Sequence, residues 1–498
     1  MIRSLLILCA VSTFLLLAPM ASAQPTIVEP EDSPTQLPLV DSNSDNADHV
    51  IVAVNDLGDM LIVWDEETTA GSPPVATVQA SAIFIPTKKV SGVQSWQVPT
   101  TAELIGDPEE GNSGDIVKCE KPHVTAVGDN FIIAYPRIQT TGSKLTRIET
   151  IGVEVTDNGS SSYNTATFHY DTTDGVGYVV STEEGFTNDW FQGGSSGNNL
   201  GLCHFTDGLL PDEDGAAIVF LEQPSTEGVY DLYSIYVDYD ENGIDGEPEV
   251  TECDSGPNAE WLLSGIRSEE NHSMYNQSRR VAPRIIEDVN GYLVLAYGEW
   301  EESGASQGGR IMLRSYSFSG PSCLVLEDTM ELQNSTNTSW HHRRPVFGKT
   351  KNSSDNMSLG WANFDDDHGG TPAAPVIDWM EFHIDSNGDL VDDGDYNLGS
   401  LSNVAHARPV FAKNGSGSTD TFEVVIYNTV NSVTTDHVKY WDETTSTQID
   451  DSTGTGDHAT RPAYAVWEKD PDYFMVVVYD QLVSAESRPY FVVMDITD

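Results

Sequence analysis

The chain has 498 residues, of which 78 are Asp or Glu and only 24 are Lys or Arg, for a formal net charge of −54. A charge this negative argues against binding to nucleic acid, whose phosphates need a basic surface, and against binding to anionic membranes. Hydrophobic residues make up 39% of the chain, which is enough for a packed core and argues against a disordered protein.

Residues 1–23 have the composition of an export signal. Arg3 supplies a positive charge, residues 5–17 are apolar, and Ala21-Ser22-Ala23 forms a small-residue cleavage site. The apolar run is short for a membrane span, and no later segment is apolar enough to insert. We therefore expect a secreted or periplasmic protein, a monomer, that starts near Gln24 and does not insert into a membrane.

One sequence unit recurs along the rest of the chain. It is a short apolar strand, a polar turn and a second apolar strand that ends in an aromatic residue, and in the clearest copies a basic residue and a proline open the first strand. The seven copies are residues 48–66, 120–136, 202–222, 279–299, 343–363, 407–428 and 460–480. Each is followed by a further alternating segment, and this period of two predicts strands throughout.

Units of roughly 50–80 residues fit blades of four strands with long loops. The sequence therefore predicts an all-β fold, a single seven-bladed β-propeller over residues 48–498. Residues 24–47 would supply a strand that closes the ring, near Leu37 to Val40, because the last unit has only three clear strands. A pair of β-sandwiches is the alternative, but it would not explain seven evenly spaced anchors.

The units resemble those of secreted bacterial β-propeller repeat proteins. The resemblance rests on copies such as "RRPVFGKTKNSSDNMSLGWAN" (343–363) and "TRPAYAVWEKDPDYFMVVVYD" (460–480), and it covers most of residues 48–498. It implies an architecture and no particular activity. Residues 353–361 are similar to the Asp-box of sialidase-type propellers but lack its glycine, so they give that family little support.

The resemblance also implies that the first strand of each blade is innermost and begins on the face where ligands bind. The residues just before the first strands would then surround the mouth of the central channel, and aromatic residues such as Tyr297 and Trp361 would end the second strands near it. The basic residues at these positions are His49, Lys121, His123, His204, Arg279, Arg280, His341, His342, Arg343, Arg344, His406, Arg408, His458 and Arg461.

Two interpretations of these basic residues stay open. In the first, each blade holds one ion pair, such as Arg461 with Asp480, Arg344 with Asp365, and Arg280 or Arg284 with Glu299, and the aromatics are core residues. In the second, a basic, aromatic-lined funnel attracts an anionic glycan. Its ligand-binding residues would be Arg280, Tyr297, His341, His342, Arg343, Arg344, Trp361, His406, Arg408, His458 and Arg461.

The funnel predicts binding of an anionic polysaccharide, and three further functions are alternatives. A polysaccharide lyase would use an arginine to neutralise a uronate carboxylate and a histidine as base, with His342, Arg344 and His406 as candidates. A glycosidase would need two carboxylates at a set separation, and the many acids of this chain do not single out a pair. A non-catalytic scaffold with a structural ring of ion pairs is the last alternative.

One acidic stretch matches a twelve-residue calcium loop. In "DYDENGIDGEPE" (238–249), Asp238, Asp240, Asn242, the Ile244 carbonyl and Glu249 occupy ligand positions one, three, five, seven and twelve, with Gly243 at the sharp turn. The flanking segments look like strands, so this would be a structural calcium site. An acidic hairpin turn is the alternative.

The predicted mature chain keeps four cysteines. An even, small number in an exported protein favours disulfides over metal binding. Their places in the repeat suggest Cys119–Cys203 and Cys253–Cys323 bridges between neighbouring blades, with the two other connectivities left open.

Overall fold

The computed structural model describes only part of the chain, and at some strand positions, among them residues 341–344 and 404–413, it describes the backbone alone. The described residues are 26–29, 33–40, 46–70, 75–90, 93–107, 117–139, 146–171, 177–180, 200–205, 215–222, 229–238, 248–250, 260–267, 282–288, 290–301, 308–318, 324–332, 340–348, 356–365, 376–397, 404–413, 421–429, 436–441, 446–450, 458–469, 472–483 and 486–496. They contain no α-helix and a single 3₁₀ turn, Gly159–Ser161. No helix in this part of the chain is long and apolar enough to cross a membrane.

The described strands form seven antiparallel sheets, here called blades 1 to 7 in the order of their first strands, and one small hairpin. Two N-terminal strands that join the last blade precede them: β1 (Thr26–Glu29) and β2 (Thr35–Gln36). Blade 1 contains β3 (Ala47–Val54), β4 (Met60–Ala70), β5 (Val75–Ile85) and β8 (Glu103–Gly106), and the hairpin of β6 (Thr87–Val90) and β7 (Val93–Trp96) follows β5. Blade 2 contains β9 (Val117–Cys119), β10 (His123–Val127), β11 (Asn130–Gln139), β12 (Thr146–Thr156), β13 (Thr165–His169) and β14 (Tyr178–Val179). Blade 3 contains β15 (Leu200–Phe205), β16 (Gly215–Glu222), β17 (Val229–Asp238), β18 (Glu249–Val250) and β19 (Glu260–Arg267).

The remaining blades have simpler sheets. Blade 4 contains β20 (Arg284–Glu287), β21 (Leu293–Glu301), β22 (Gly308–Phe318) and β23 (Leu324–Leu332). Blade 5 contains β24 (Trp340–Gly348), β25 (Asn356–Asp365), β26 (Val376–Ile384) and β27 (Leu390–Asn397). Blade 6 contains β28 (Val404–Lys413), β29 (Thr421–Thr429), β30 (Val438–Trp441) and β31 (Ser446–Gln448). Blade 7 contains β32 (His458–Lys469), β33 (Asp472–Val483) and β34 (Glu486–Asp495).

The blades close into a ring. The innermost strands β3, β10, β15, β20, β24, β28 and β32 each contact those of both neighbouring blades, and the last contact, β32 against β3, completes the circle. Every predicted repeat supplies the first two main strands of one blade, and the alternating segment after it supplies the next. The predicted seven-bladed propeller is therefore confirmed.

The two ends of the propeller meet in blade 7. Thr26 of β1 pairs with Asp495 of β34, and Thr35 of β2 pairs with Phe491 of the same strand. The Leu37 amide then donates to the Pro489 carbonyl at 2.9 Å. These strands lie just upstream of residues 37–40, where the sequence analysis placed the closing strand.

The core lies in layers between neighbouring blades. The second strands are buried on both faces, as in β11, where Phe131 to Tyr135 are all buried. One apolar layer joins blades 7 and 1, another joins blades 1 and 2, and another joins blades 4 and 5. This packing explains why the second strands have continuous apolar runs, whereas the outer strand β23 is mostly exposed.

The predicted bridge between Cys119 and Cys203 is wrong. Both residues are buried free cysteines. Cys119 packs in the layer between blades 1 and 2, and Cys203 packs in the layer formed by blades 2, 3 and 4. The two thiols therefore belong to separate layers of the core. Cys253 and Cys323 lie outside the described residues.

Because the N-terminal segment closes the ring, replacing one of its leucines is expected to lower the stability of the protein strongly. Leu37 is 1% exposed and packs in the layer between blades 7 and 1, so Leu37→Ala is expected to lower the free energy of unfolding by about 2–5 kcal/mol. Leu326→Ala is the matched control, because Leu326 is 45% exposed and its loss is expected to cost less than about 0.5 kcal/mol. Urea denaturation measures both, and equal midpoints for the two variants would contradict this account of closure.

Candidate functional site

A β-bulge opens the innermost strand of several blades. In blade 1, Asp48 pairs with Asp65 and Ile51 pairs with Val63, so His49 and Val50 together oppose the single residue Trp64. The same two-against-one arrangement places Arg461 and Pro462 opposite Tyr479, Arg344 and Pro345 opposite Trp361, and His406 and Ala407 opposite Tyr427. The bulge therefore has a constant place in these blades, opposite the aromatic that ends the second-strand motif.

Three basic residues at these openings have left-handed backbones. His49, Lys121 and Arg461 have φ angles of 58°, 51° and 52°. This region is uncommon for residues other than glycine and costs on the order of 1–3 kcal/mol. The three residues belong to blades 1, 2 and 7, which are consecutive in the ring, and Ala282, just before the first strand of blade 4, also has a positive φ of 36°.

Buried carboxylates hold two of these left-handed residues from the preceding blade. Asp480, which follows Tyr479 in blade 7, accepts a hydrogen bond from the His49 amide at 3.3 Å. Asp65, which follows Trp64 in blade 1, accepts one from the Lys121 amide. An acid directly after the aromatic of one blade thus fixes the bulge of the next blade. We call these two interactions the carboxylate clamps.

The basic side chains here are paired with acids. Arg461 lies 2.8 Å from Asp48 and 3.6 Å from Asp480, and His49 Nδ1 lies 3.1 Å from Asp65 Oδ2. Around Glu120, Lys118 Nζ is at 3.4 Å and Lys121 Nζ at 3.8 Å. His458 Nδ1 is 3.2 Å from Asp436. The Arg461–Asp480 contact is the one that the ion-pair interpretation predicts.

A cavity of about 790 Å³ opens at this junction of blades 6, 7, 1 and 2. We call it the hub cavity. Its ionisable lining residues are five acids, two lysines and two histidines: Asp48, Asp65, Glu67, Glu120, Asp436, Lys118, Lys121, His49 and His458. Acids therefore outnumber cations in this cavity, and the predicted basic funnel is not found in this part of the hub.

Burial changes the proton affinities of the clamp residues. It raises the pKa of the Asp65 carboxyl well above its usual range, and the nearby Glu120 raises it further. It also raises the pKa of Asp480, with a contribution from Asp48. Burial lowers the pKa of His49 from 6.5 to about 3, helped by the charges of Arg461 and Lys121. His49 is therefore neutral at ordinary pH, and Asp65 holds its proton more firmly than a solvated aspartate.

The predicted aromatic ligand contacts are core residues instead. Tyr297 is 1% exposed, and its hydroxyl accepts a hydrogen bond from Arg314 Nε at 3.2 Å. Trp361 is 8% exposed and packs in the layer between blades 4 and 5. Both were predicted to line the hub, but their side chains pack in the apolar layers between blades.

The other predicted site residues divide into two groups. His458 lines the hub cavity, and Arg461 lies beside it. His341, His342, Arg343 and Arg344 lie on β24, and His406 and Arg408 lie on β28, where the backbone alone is described. Arg280 and the calcium-loop residues Asp240, Asn242 and Ile244 lie outside the described residues. Asp238 and Glu249 are register partners on β17 and β18.

Sequence reasoning did not select the acids of the hub cavity. Asp48 and Glu120 each directly precede a left-handed residue, and Asp65 directly follows a buried aromatic. Those two positions in the repeat are the signal that identifies them. It is weak in the sequence, because Asp and Glu are abundant everywhere in this chain.

Comparison with known proteins gives only distant structural likenesses. No known protein-family model matches the sequence, and no curated protein matches it significantly. A Trypanosoma rangeli sialidase is 10% identical with a TM-score of 0.41, over 95% of this chain and 59% of that one. A Penicillium chrysogenum α-L-arabinanase complexed with arabinobiose is 11% identical with a TM-score of 0.43, over 95% and 99%. A Fusarium graminearum α-L-arabinofuranosidase with arabinobiose is 9% identical with a TM-score of 0.43, over 93% and 98%. Likenesses this weak decide nothing about activity.

The lowered pKa of His49 predicts acid sensitivity. Because the folded pKa of about 3 lies below the ordinary value of 6.5, stability is lost as the pH falls between those values. His49→Asn, whose side chain tolerates a left-handed backbone, should reduce the slope of unfolding free energy against pH by up to about 1.4 kcal/mol per pH unit. Urea titrations at several pH values measure this slope.

The control for this prediction is His383→Asn. His383 forms a partly exposed pair with Asp393 at 2.7 Å on blade 5, so this variant makes the same substitution away from the buried clamps and measures its background effect on the slope. Identical slopes for His49→Asn and the wild type would show that His49 is protonated without cost in the folded protein.

Proposed function

We propose that this protein binds a glycan in the hub cavity. A volume of about 790 Å³ is within the usual range of small-ligand sites. Its carboxylates and lysines are fixed donors and acceptors, as the recognition of sugar hydroxyls requires. The clamps and ion pairs hold these groups in place before a ligand arrives, which lowers the entropic cost of binding. The observation that carries this proposal is the concentration of fixed polar groups in one cavity.

The charge of the cavity favours an uncharged glycan over the predicted anionic one. Both lysines share the carboxylate Glu120, and His49 is neutral at ordinary pH. The five acids of the lining outnumber its two lysines, so an entering anion would be repelled. An anion site formed by Arg280, His341 to Arg344, His406 and Arg408 stays a prediction, because these side chains lie outside the part of the chain that the structure describes.

The lyase and scaffold alternatives receive less support from the described residues. A lyase needs a base that is competent near neutral pH, and a histidine with a pKa of about 3, such as His49, is a poor one. The candidates His342, Arg344 and His406 remain predictions. A scaffold with a ring of ion pairs would need no cavity with fixed polar groups.

Binding is tested on immobilised oligosaccharides, with uncharged arabino-, xylo-, cello- and galacto-oligomers beside oligomers of uronates. We expect binding to an uncharged member that changes less than about twofold between about 0.05 M and about 0.5 M salt, because no net charge is neutralised. Glu67→Gln removes a cavity carboxylate with little change in shape and should weaken binding about tenfold.

Asp393→Asn is the control for Glu67→Gln. Asp393 is a carboxylate of blade 5 that does not line the hub cavity, so its loss should leave binding unchanged. Binding to uronate oligomers alone would restore the anion prediction, and no binding to any member would favour the scaffold.

The protein is proposed to act outside the cytoplasm, which follows from the predicted export signal in residues 1–23. A monomer is expected, as predicted from the sequence.

The calcium loop is also proposed, as a structural site of blade 3. Its first and last ligand positions, Asp238 and Glu249, are opposite each other on adjacent strands, which is compatible with ligation of one ion. Glu249→Gln would remove the bidentate ligand, so calcium should raise the melting temperature of the wild type by several degrees but not that of the variant. A melting temperature that calcium leaves unchanged in the wild type would favour the acidic turn.

A further inference from the structure

We propose that the hub cavity hydrolyses a glycosidic bond, with Asp65 as the proton donor and Glu120 as the base. This inference rests on the proposed function, because the same cavity must first bind the glycan. Both carboxyls line the cavity, and each is held by different neighbours.

Asp65 has the surroundings of a general acid. Its side chain is only 9% exposed, between His49 on one side and the Lys121 amide on the other. Burial raises its pKa, and the charge of Glu120 acts in the same direction. A carboxyl with a raised pKa can give its proton to a leaving oxygen.

Glu120 has the surroundings of a general base. It lies between β9 and β10, its side chain is 12% exposed, and two lysines are within 4 Å of its oxygens, at 3.4 Å and 3.8 Å. The ammonium groups of both lysines contact its oxygens, so the carboxyl group is held in place at the cavity wall. Glu120 also makes the largest charge contribution to Asp65 among the neighbouring groups, so the two carboxyls are electrostatically coupled.

A buried carboxyl with a raised pKa and a second carboxyl held by two lysines line one cavity, and an acid and a base of this kind are the two groups that glycoside hydrolysis uses. Asp65 gives its proton to the glycosidic oxygen as the bond between that oxygen and the anomeric carbon breaks. A water molecule adds its oxygen to the anomeric carbon while Glu120 takes a proton from that water. The two products each carry a hydroxyl, and the proton on Glu120 returns to Asp65 through solvent.

The same assignment makes turnover depend on pH. Turnover falls as the pH rises through the raised pKa of Asp65, because the general acid then loses its proton. The charged or titratable groups that act on Asp65 are His49, Asp48, Glu120, Lys121 and Arg461.

The experiment uses uncharged aryl glycosides of pentoses and hexoses, each made with a phenol and with a dinitrophenol leaving group. The wild type is expected to hydrolyse at least one sugar. Asp65→Asn should lose more than about 100-fold on the phenyl glycoside but less than about tenfold on the dinitrophenyl one, because a good leaving group needs no proton. Glu120→Ala should lose more than about 100-fold on both, and added azide should restore turnover by replacing the activated water.

Asp288→Asn is the matched control. Asp288 is a buried carboxyl that accepts a backbone amide, that of Tyr292 at 2.7 Å, as Asp65 accepts that of Lys121, but it lies in blade 4 and does not line the cavity. Its loss should leave turnover of the folded protein within about threefold of the wild type on both leaving groups. Equal losses on both leaving groups in Asp65→Asn would show a structural role for Asp65 and overturn the assignment.

The outcomes also separate this inference from the proposed function. A wild type that binds uncharged oligosaccharides but hydrolyses no member of the aryl panel overturns hydrolysis and leaves binding intact. A wild type that neither binds nor hydrolyses overturns both.

Discussion

The hub of this propeller depends on a carboxylate that reaches from one blade to the backbone of the next. Asp480 and Asp65 each accept the amide of a left-handed residue in the following blade. A buried amide without a partner costs on the order of 1–3 kcal/mol, and a buried carboxylate without partners costs more. Each clamp satisfies both groups together, and it makes the left-handed bulges of His49 and Lys121 tolerable. Removing either partner would therefore disturb two blades.

The junction where the ring closes is also tied at its other face. Asp59 accepts hydrogen bonds from the Thr87 amide at 2.6 Å and from Asn164 Nδ2 at 3.0 Å, which joins blade 1, the hairpin of β6 and β7, and blade 2. Trp96 of that hairpin packs edge-on against Trp467 and Phe474 of blade 7. Blades 7, 1 and 2 are thus cross-linked at both ends of their strands. A cavity wall fixed in this way can hold charged groups at constant separations, which both binding and acid–base chemistry require.

The strands could be predicted because a period of two and a buried aromatic are local signals. Residues 131–135 and 475–479 show this, since their apolar runs belong to second strands packed on both faces. The clamps could not be predicted, because Asp480 and His49 are joined only once the ring is closed. The closing strands β1 and β2 have four and two residues, too few for alternation to register. Tyr297 and Trp361 were misplaced because the repeat shows that an aromatic is present but not whether its side chain faces the hub or the layer between blades.

The repeat gives the blades the same backbone arrangement, and the proposed chemistry depends on the positions at which their residues differ. The residue before the left-handed position is Asp48 in blade 1, Glu120 in blade 2 and Thr460 in blade 7. Asp65 and Asp480 make the same clamp, yet only Asp65 faces the hub cavity, and there Glu120 adds a negative charge that raises its pKa. One structural interaction, used twice, gives a buried brace in blade 7 and, in blade 1, a carboxyl that faces a cavity beside a second carboxyl. In a fold built from repeats, a buried group that is kept because it stabilises the protein can become part of a site when a single neighbouring residue changes.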